Sequence, residues 1–270
     1  MSAIRTQTRS TAGRPLLLSS GLHAAASRTP RKTALICDGK RLTYGELAER
    51  VNRVAGGAAA LGLRKGDRVG VFAPNCIEYP ELVVGLSDAG IVVATLNPRS
   101  TAHELTAACD DCGARLLFVH PSLAATAHAA RFASVEQIIV LGDAYEAWLD
   151  ASVRSAPLDS LEESDPFTLV HSSGTTGKPR GVVISHRSRT LTFHAMAMEY
   201  GCYGPDDLHL GIAPLAHGAG FAFTMAALYF GGTVEVLSKF DPELALDKLA
   251  REPFTGVYME IGRASCRERV

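Results

Sequence analysis

Apolar runs of strand length alternate with helical patterns along most of the chain. Segments such as "DRVGVFAP", "IVVATLN" and "ARLLFVH" are short and mainly apolar, which is typical of buried strands. The segments between them repeat apolar residues at helical spacing, as Leu47, Val51 and Val54 do. This alternation predicts an α/β fold in which parallel-rich sheets are flanked by helices.

Turn and helix signals divide the chain further. "TALIC" and "KRLTY" flank Asp38 and Gly39, which predicts a hairpin. A first helix is predicted within residues 16–30, and another in the alanine-rich segment 122–133. The acidic, proline-flanked stretch at residues 152–166 is predicted to be a surface linker. Strands and helices alternate again beyond it, as far as "FTGVYM".

The charge balance narrows the classes of partner. The chain has 27 Lys and Arg residues against 28 Asp and Glu residues, a formal net charge of -1. Without an excess of cations, nucleic acid is not an expected partner. No window reaches the roughly 18 uninterrupted apolar residues that a membrane-spanning helix needs, so no transmembrane segment is predicted. Nothing in the sequence indicates the oligomeric state.

The cysteines and the N-terminus bear on location. Six cysteines are scattered without regular spacing, which favours reduced thiols and a cytoplasmic protein. Cys109 and Cys112 have the spacing of half a metal site, but no second pair completes it. Two helical cysteines one turn apart are therefore preferred, and no metal site is predicted. Residues 1–15 are predicted to be a disordered tail; because no acidic residue precedes Asp38, an organellar transit peptide is the alternative.

The segment "HSSGTTGKPRG" lies between two strand patterns, "FTLVH" and "GVVISH". Its ten residues from Ser172 to Gly181 include three glycines and four hydroxyl residues, so a flexible backbone exposes many N–H and O–H donors. Lys178 and Arg180 add two cations. Such a loop suits the phosphates of a nucleoside triphosphate. A solvated turn is the alternative, since the same residue types dominate turns.

The known nucleotide loops do not fit this segment. In the P-loop pattern G-x-x-x-x-G-K-[ST], four residues separate the glycines and a hydroxyl residue follows the lysine. Here two residues separate Gly174 from Gly177, and Pro179 follows the lysine. The G-x-G-x-x-G loop of protein kinases is absent too. An unrelated phosphotransferase is therefore the weakest interpretation.

The order of residues in the segment resembles that of a known family. "SSGTTGKPRGV" resembles the phosphate-loop signature of adenylate-forming (AMP-binding) enzymes, usually "TSGTTGxPKGV". That superfamily contains acyl- and aryl-CoA ligases, luciferases and adenylation domains. Ser172 replaces the commoner threonine, Arg180 replaces the commoner lysine, and His171 stands where tyrosine is frequent. The resemblance continues through "LTYGELAERVNRVAGGAAALG", "PLAHGAGF" and "GGTVEVLSKFDPE", over about residues 16–259.

The resemblance implies the large N-terminal domain of such an enzyme, with ATP, Mg²⁺ and coenzyme A as cofactors or substrates. It also implies two steps: a small-molecule carboxylic acid reacts with ATP to give an acyl-adenylate and pyrophosphate, and a thiol, commonly coenzyme A, then takes the acyl group. The residues that it assigns to the β- and γ-phosphates are Ser172, Ser173, Gly174, Thr175, Thr176, Gly177 and Lys178. His217 and Gly218 of "PLAHGAG" are expected to line the substrate pocket.

Later signatures of the superfamily are absent from the chain, including the catalytic lysine of its small C-terminal domain, so no catalytic residue is assigned. Residues 16–259 are expected to form a partial large domain, and the 270-residue chain alone is expected to be inactive. The arginine-rich segment 260–270 departs from the superfamily and is predicted to be a foreign tail, with a natural tail as the alternative. A non-catalytic nucleotide- or acyl-binding regulatory module is the other function left open.

Overall fold

The computed structural model describes residues 15–172 and 180–259. Strands and helices alternate along these residues, as the hydrophobic pattern predicts. The strands are β1 (Thr33–Cys37), β2 (Lys40–Thr43), β3 (Arg68–Phe72), β4 (Val92–Thr95), β5 (Ala114–Val119), β6 (Gln137–Val140), β7 (Pro166–Ser172), β8 (Arg180–Ser185), β9 (Leu208–Gly211), β10 (Thr233–Val236) and β11 (Gly256–Val257). The helices are α1 (Ser20–Arg28), α2 (Tyr44–Ala60), α3 (Glu78–Asp88), α4 (Ala102–Cys112), α5 (Ala124–Ala129), α6 (Asp143–Ala151), α7 (His186–Tyr200), α8 (Gly218–Phe230) and α9 (Pro242–Arg251).

The described strands form two sheets. In the six-stranded sheet the order is β6-β5-β3-β4-β7-β8, and every neighbouring pair is parallel except β7 and β8. In the five-stranded sheet the order is β11-β9-β10-β1-β2, and only β1 and β2 are antiparallel. Asp38 and Gly39, both with positive φ, form the predicted hairpin turn between β1 and β2. The prediction of an α/β fold with parallel-rich sheets flanked by helices is confirmed.

Both sheets contribute to the main hydrophobic core. Leu35 and Val234 come from the five-stranded sheet, and Val71 comes from the six-stranded sheet. Side chains of α2, α3 and α8 complete this core, so one apolar interior holds the two sheets together. A second core lies under α4, where Cys109 and Cys112 are buried one turn apart on the helix, as their spacing predicts.

Helix α2 is positioned by its first turn and by its contact with α3. The Glu46 N–H donates to Thr43 Oγ1 at 3.2 Å, and the Thr43 N–H donates to Glu46 Oε2 at 2.8 Å, which caps the helix start. Where α3 meets α2, a Cβ on Gly85 would lie 2.6 Å from the carbonyl oxygen of Val51. Only glycine allows the two backbones to approach this closely.

A partly buried ion cluster joins α2, α3 and α6. The Arg50 guanidinium donates to both carboxylate oxygens of buried Glu81, at 2.5 and 2.9 Å. It also donates to those of Glu146, at 2.9 and 2.7 Å, and the Tyr145 hydroxyl donates to Glu81 at 2.7 Å. Because Glu81 is fully desolvated, these partners are what makes its burial tolerable.

The predicted helix at residues 122–133 was too long. A 3-10 turn leads into α5, which ends at Ala129. The Asp110 carboxylate accepts hydrogen bonds from the N–H groups of Ala133, at 2.9 Å, and Ser134, at 3.1 Å. These N–H groups are therefore not available for a longer helix. The small alanine side chains also bury little apolar surface, so they add little to the stability of one.

Helix α6 was not predicted from the sequence, and it directly precedes the predicted linker. Residues 152–165 form no helix or strand. They are nevertheless held against the core, because the Ser155 N–H donates to the Asn52 carbonyl oxygen and the Leu158 N–H donates to the Asp88 carbonyl oxygen, both at 2.9 Å. The segment therefore lies across α2 and α3 before the chain enters β7.

The side chain of Asn75, just after β3, also joins the two sheets. Its Nδ2 donates to the carbonyl oxygens of Ala213 and Leu237, both at 3.1 Å. Its Oδ1 accepts a hydrogen bond from the Leu215 N–H at 2.8 Å. Ala213 follows β9 and Leu237 follows β10, so the carboxyl ends of strands from both sheets meet at this buried amide.

We predict that Asn75→Ala lowers the free energy of unfolding by about 2–4 kcal/mol, because three buried backbone groups lose their partner at once. Asn97→Ala is the control: Asn97 is exposed, its Oδ1 accepts a hydrogen bond from the Arg99 N–H, and a loss below about 1 kcal/mol is expected. Urea unfolding followed by circular dichroism measures both. Equal losses would show that Asn75 does not join the sheets.

Candidate functional site

The hydroxyl- and glycine-rich segment joins two adjacent strands of the six-stranded sheet. β7 ends at Ser172 and β8 begins at Arg180, and these two residues pair across the antiparallel strands. Because β7 is parallel to β4, and β4 to β3, the paired residues Ser172 and Arg180 lie at the edge of the sheet where all three strands have their carboxyl ends. The other residues predicted to bind phosphate lie outside the described residues; they are Ser173, Gly174, Thr175, Thr176, Gly177 and Lys178.

The predicted pocket residues lie at the carboxyl end of β9, in the five-stranded sheet. His217 immediately precedes Gly218, the first residue of α8. The His217 N–H donates to the Pro214 carbonyl oxygen at 3.0 Å, and the His217 carbonyl oxygen accepts from the Phe221 N–H at 2.9 Å. The side chain of His217 is exposed and does not cap the helix. The imidazole is therefore accessible to a ligand.

Two glycines shape the start of α8. A Cβ on Gly220 would lie 2.3 Å from the Pro214 carbonyl oxygen, so only glycine lets the helix begin this close to the preceding loop. A Cβ on Gly218 would meet nothing within 4 Å, so the space beside the helix start is open. No acidic residue lies in the first turn, and the N–H groups there favour an anionic ligand.

Asn75 brings these two regions to the same junction. Its amide holds the loop that leads from β9 to His217, through Ala213 and Leu215. Asn75 itself follows β3, which is two positions from β7 in the six-stranded sheet. The end of β7, from which the predicted phosphate-binding segment continues, and His217 therefore lie on the same side of the molecule, where the carboxyl ends of both sheets meet. Asn75 received no role from the sequence, although its place directly after a buried strand was a usable signal.

A narrow cleft lies beside α8, between that helix and β9. Its volume is about 10 Å³, which is room for one water molecule. Its walls include the main chain of β9 and of the first turn of α8, and a Cβ on Gly211 would lie 3.2 Å from Thr224 Oγ1. The aromatic side chains that line it are Tyr203, His209, Phe223 and Tyr258. These aromatic residues were not predicted as part of the site.

The aromatic rings of the cleft form two stacked pairs. Phe223 and Tyr258 stack with their ring centroids 4.2 Å apart and an interplanar angle of 13°. Tyr203 and His209 stack at 4.7 Å. His209 Nε2 lies 2.6 Å from the Cys202 carbonyl oxygen, and burial lowers the pKa of His209. His209 is therefore a neutral donor that holds its own ring in place.

His186, at the start of α7, occupies a buried position near the beginning of β7. Its Nδ1 accepts a hydrogen bond from the Leu18 N–H at 3.1 Å, and its ring centroid lies 5.5 Å from that of Phe167. Nearby, Asp88 Oδ2 lies 2.8 Å from His23 Nε2. Burial lowers the pKa of His186 to about 4, against the smaller opposing effect of the Asp88 charge. The neutral imidazole joins α7 to the segment that precedes α1.

Neither a metal site nor a membrane-spanning helix is found within residues 15–172 and 180–259. No three His, Cys, Asp or Glu side chains come together there as metal ligands. No helix in the same part of the chain is long and apolar enough to cross a membrane.

The fold matches the N-terminal domains of adenylate-forming enzymes. One such structure is the inhibitor-bound N-terminal domain of FACL13 from Mycobacterium tuberculosis, with a TM-score of 0.87 and 25% identity over 94% of this chain and 65% of that chain. ATP-bound MatB from Rhodopseudomonas palustris gives a TM-score of 0.80 and 26% identity over 88% of this chain and 48% of that chain.

The chain belongs to the AMP-binding enzyme family, whose model matches residues 22–259. Feruloyl-CoA synthase from Amycolatopsis sp is 35% identical over 86% of this chain and 46% of the relative. Triostin synthetase I from Streptomyces triostinicus is 32% identical over 90% of this chain and 47% of the relative. A fatty acid–[acyl-carrier-protein] ligase from Streptomyces coeruleorubidus is 31% identical over 82% of this chain and 44% of the relative. The chain thus spans a little under half the length of these curated relatives.

We predict that His186 makes the protein less stable in mild acid. Its pKa is about 4 in the folded protein and 6.5 in the unfolded chain, so between these values the unfolded chain binds more protons. The folded protein therefore has its full stability above the pKa of His186 in the unfolded chain, and it loses stability as the pH falls from that pKa toward the pKa in the folded protein. From about pH 7 to about pH 5, His186 should account for a loss of up to about 2 kcal/mol.

Urea unfolding at both pH values tests the role of His186. His186→Gln keeps an acceptor within reach of the Leu18 N–H and removes the titrating group, so its stability should fall less in acid. His128→Gln, at an exposed position, should behave like the unaltered protein. An unchanged pH dependence in His186→Gln would show that the acid sensitivity lies elsewhere.

Proposed function

We propose that the protein carrying this chain activates a carboxylic acid with ATP and transfers the acyl group to a thiol, with coenzyme A as the acceptor. The observation behind the proposal is the junction at Asn75, where the strand ends that flank the hydroxyl- and glycine-rich segment and the N-terminus of α8 share one side of the molecule. Membership of the AMP-binding family supports the use of a nucleotide. The activity is proposed for the whole protein, because the chain spans less than half of each relative named above.

The segment between β7 and β8 is proposed to hold the β- and γ-phosphates of ATP. Its hydroxyl donors are Ser172, Ser173, Thr175 and Thr176, its close-approach positions are Gly174 and Gly177, and its cation is Lys178. The phosphate oxygens gain negative charge as pyrophosphate leaves, so donors already fixed in place lower the barrier. The antiparallel pairing of β7 with β8 fixes both ends of the segment, which limits the reorganisation needed on binding.

The acid is proposed to lie at the start of α8. In the first step, a carboxylate oxygen bonds to the α-phosphorus of ATP and the bond from that phosphorus to pyrophosphate breaks. The carboxylate and the α-phosphate of ATP are both anionic, and they must approach each other for this bond to form. The N–H groups at the start of α8 favour a carboxylate beside His217, and the open space at Gly218 gives it room. In the second step, the thiol sulfur bonds to the acyl carbon, AMP leaves with the electron pair of the acyl–oxygen bond, and the thiol proton is released to solvent.

Coenzyme A is proposed as the acceptor on the strength of the relatives. The names of two relatives state different acceptors, coenzyme A for feruloyl-CoA synthase and acyl-carrier protein for the fatty acid ligase. The feruloyl-CoA synthase has the higher identity to this chain, 35% against 31%. A non-catalytic nucleotide- or acyl-binding module would use the same junction, and it differs in forming no acyl-adenylate.

Lys178→Ala is predicted to weaken ATP binding to the 270-residue chain by about ten- to one hundredfold, which corresponds to one charged hydrogen bond to phosphate. Isothermal titration calorimetry gives the dissociation constants. Lys40→Ala is the matched control, because Lys40 lies exposed on β2 in the other sheet and should not affect binding. Full ATP affinity in Lys178→Ala would leave the segment with a structural role only.

His217→Ala is predicted to raise KM for the acid by about tenfold in the whole protein, while KM for ATP changes by less than about twofold. The physical reason is the loss of one polar contact to the carboxylate. Trapping of the acyl-adenylate with hydroxylamine measures both constants, and His217→Gln should recover part of the acid affinity. If both KM values rose together, His217 would act on the fold of the site and not on the acid.

A further inference from the structure

A groove lies between α1 and the segment that leads into β7. One wall belongs to residues 15–28, which include α1, and the other, which we call the linker wall, belongs to residues 156–161. The volume of the groove is about 910 Å³, at the upper end of the range for binding pockets. None of its lining residues is bonded to Asn75, so the groove is not part of the site described above.

The walls of the groove carry apolar surface that the described residues leave uncovered. Leu158 is 38% exposed, and Leu16 and Ala24 are half-buried. Ser19, in the same wall as Leu16, is buried, and its Oγ makes no hydrogen bond with any described residue. A peptide in the groove covers the apolar side chains and brings main-chain N–H and C=O groups to Ser19.

The linker wall continues into an acidic stretch in which two carboxylates have no cation beside them. Further along this stretch, Glu163 and Asp165 are each paired with a cationic side chain. Asp159 and Glu162, in contrast, are exposed and form no ion pair with any described residue. Because opposite charges favour each other across an interface, an occupant with positive charge is favoured on this side of the groove.

The residues that precede the described part of the chain have the matching charge. Residues 1–14 contain no Asp or Glu but include Arg5, Arg9 and Arg14. They join the described chain at Pro15, which itself lines the groove. Fully extended, a segment of this length spans about 46 Å, whereas the nine residues of α1 span about 14 Å. The segment therefore starts at the groove and is long enough to follow it.

We propose that residues 1–14 bind in this groove within the same chain, with their arginines beside Asp159 and Glu162 at the linker wall. Covalent attachment keeps the effective concentration of the segment high, so contacts that are individually weak suffice. The bound segment holds the linker wall against α1 before the chain enters β7. This arrangement replaces the disordered tail that the sequence alone predicts.

The test is the protection of the backbone amides of residues 158–161 against hydrogen exchange, measured by mass spectrometry on the 270-residue chain. The first variant replaces the three arginines of the segment: Arg5→Gln/Arg9→Gln/Arg14→Gln. It should lose about tenfold in protection, because the segment no longer carries its charge. The control removes the same charge at exposed positions outside the groove: Arg41→Gln/Arg99→Gln/Arg251→Gln. Equal protection in the two variants would overturn the proposal.

A charge swap guards against a folding defect in these variants. Asp159→Lys/Glu162→Lys should lose about tenfold in protection, and the addition of Arg9→Glu/Arg14→Glu should bring the protection back to within about threefold of the unaltered protein. No recovery in the combined variant would show that the segment does not lie beside these carboxylates. Protection that rises with protein concentration would assign the groove to the segment of a second copy. Either result would overturn the proposal.

Discussion

The carboxamide of Asn75 is the contact on which the arrangement of the site depends. An amide side chain offers both donor hydrogens and an acceptor oxygen, and here two carbonyl oxygens and one N–H group use them. An aspartate would place its oxygens against the two carbonyl oxygens, and a leucine would leave all three main-chain groups unsatisfied in a buried place. The shared apolar core brings the sheets together, but hydrophobic packing has no direction. The directional contacts of Asn75 fix which strand ends meet.

The proposed chemistry depends on which strand ends meet at Asn75. β3, β4 and β7 present their carboxyl ends on one sheet, and β9 and β10 do so on the other. Ligands of open parallel sheets bind at carboxyl ends, because loops and helix N-termini project there. The pairing of the two sheets therefore brings the end of β7, where the proposed phosphate-binding segment begins, to the same side of the molecule as the start of α8, the proposed place of the carboxylate. Gly220 lets α8 begin close to this junction, and the aromatic cleft continues from it.

Much of the fold is readable from the sequence because buried parallel strands are continuous apolar runs. The hairpin at Asp38 and Gly39 and the helical placement of Cys109 and Cys112 follow from local signals in the same way. The features that the sequence did not predict depend on contacts between residues far apart in the chain. Asn75 and Leu215 are separated by 140 positions, and the end of α5 is decided by a carboxylate on α4. Helix α6 packs its aromatic rings onto Phe118 of β5, which no local pattern reveals.

The cleft shows the same limit at the site itself. Phe223 and Tyr258 are 35 positions apart and come together only because β11 pairs beside β9, next to α8. The central claim is that an acid reacts with ATP to form an acyl-adenylate at the junction beside Asn75. It is tested most directly by exchange of labelled pyrophosphate into ATP by the whole protein. We expect exchange that requires a carboxylic acid and stops when the matching amide replaces it. Nucleotide turnover that proceeds equally well without an acid would contradict the claim.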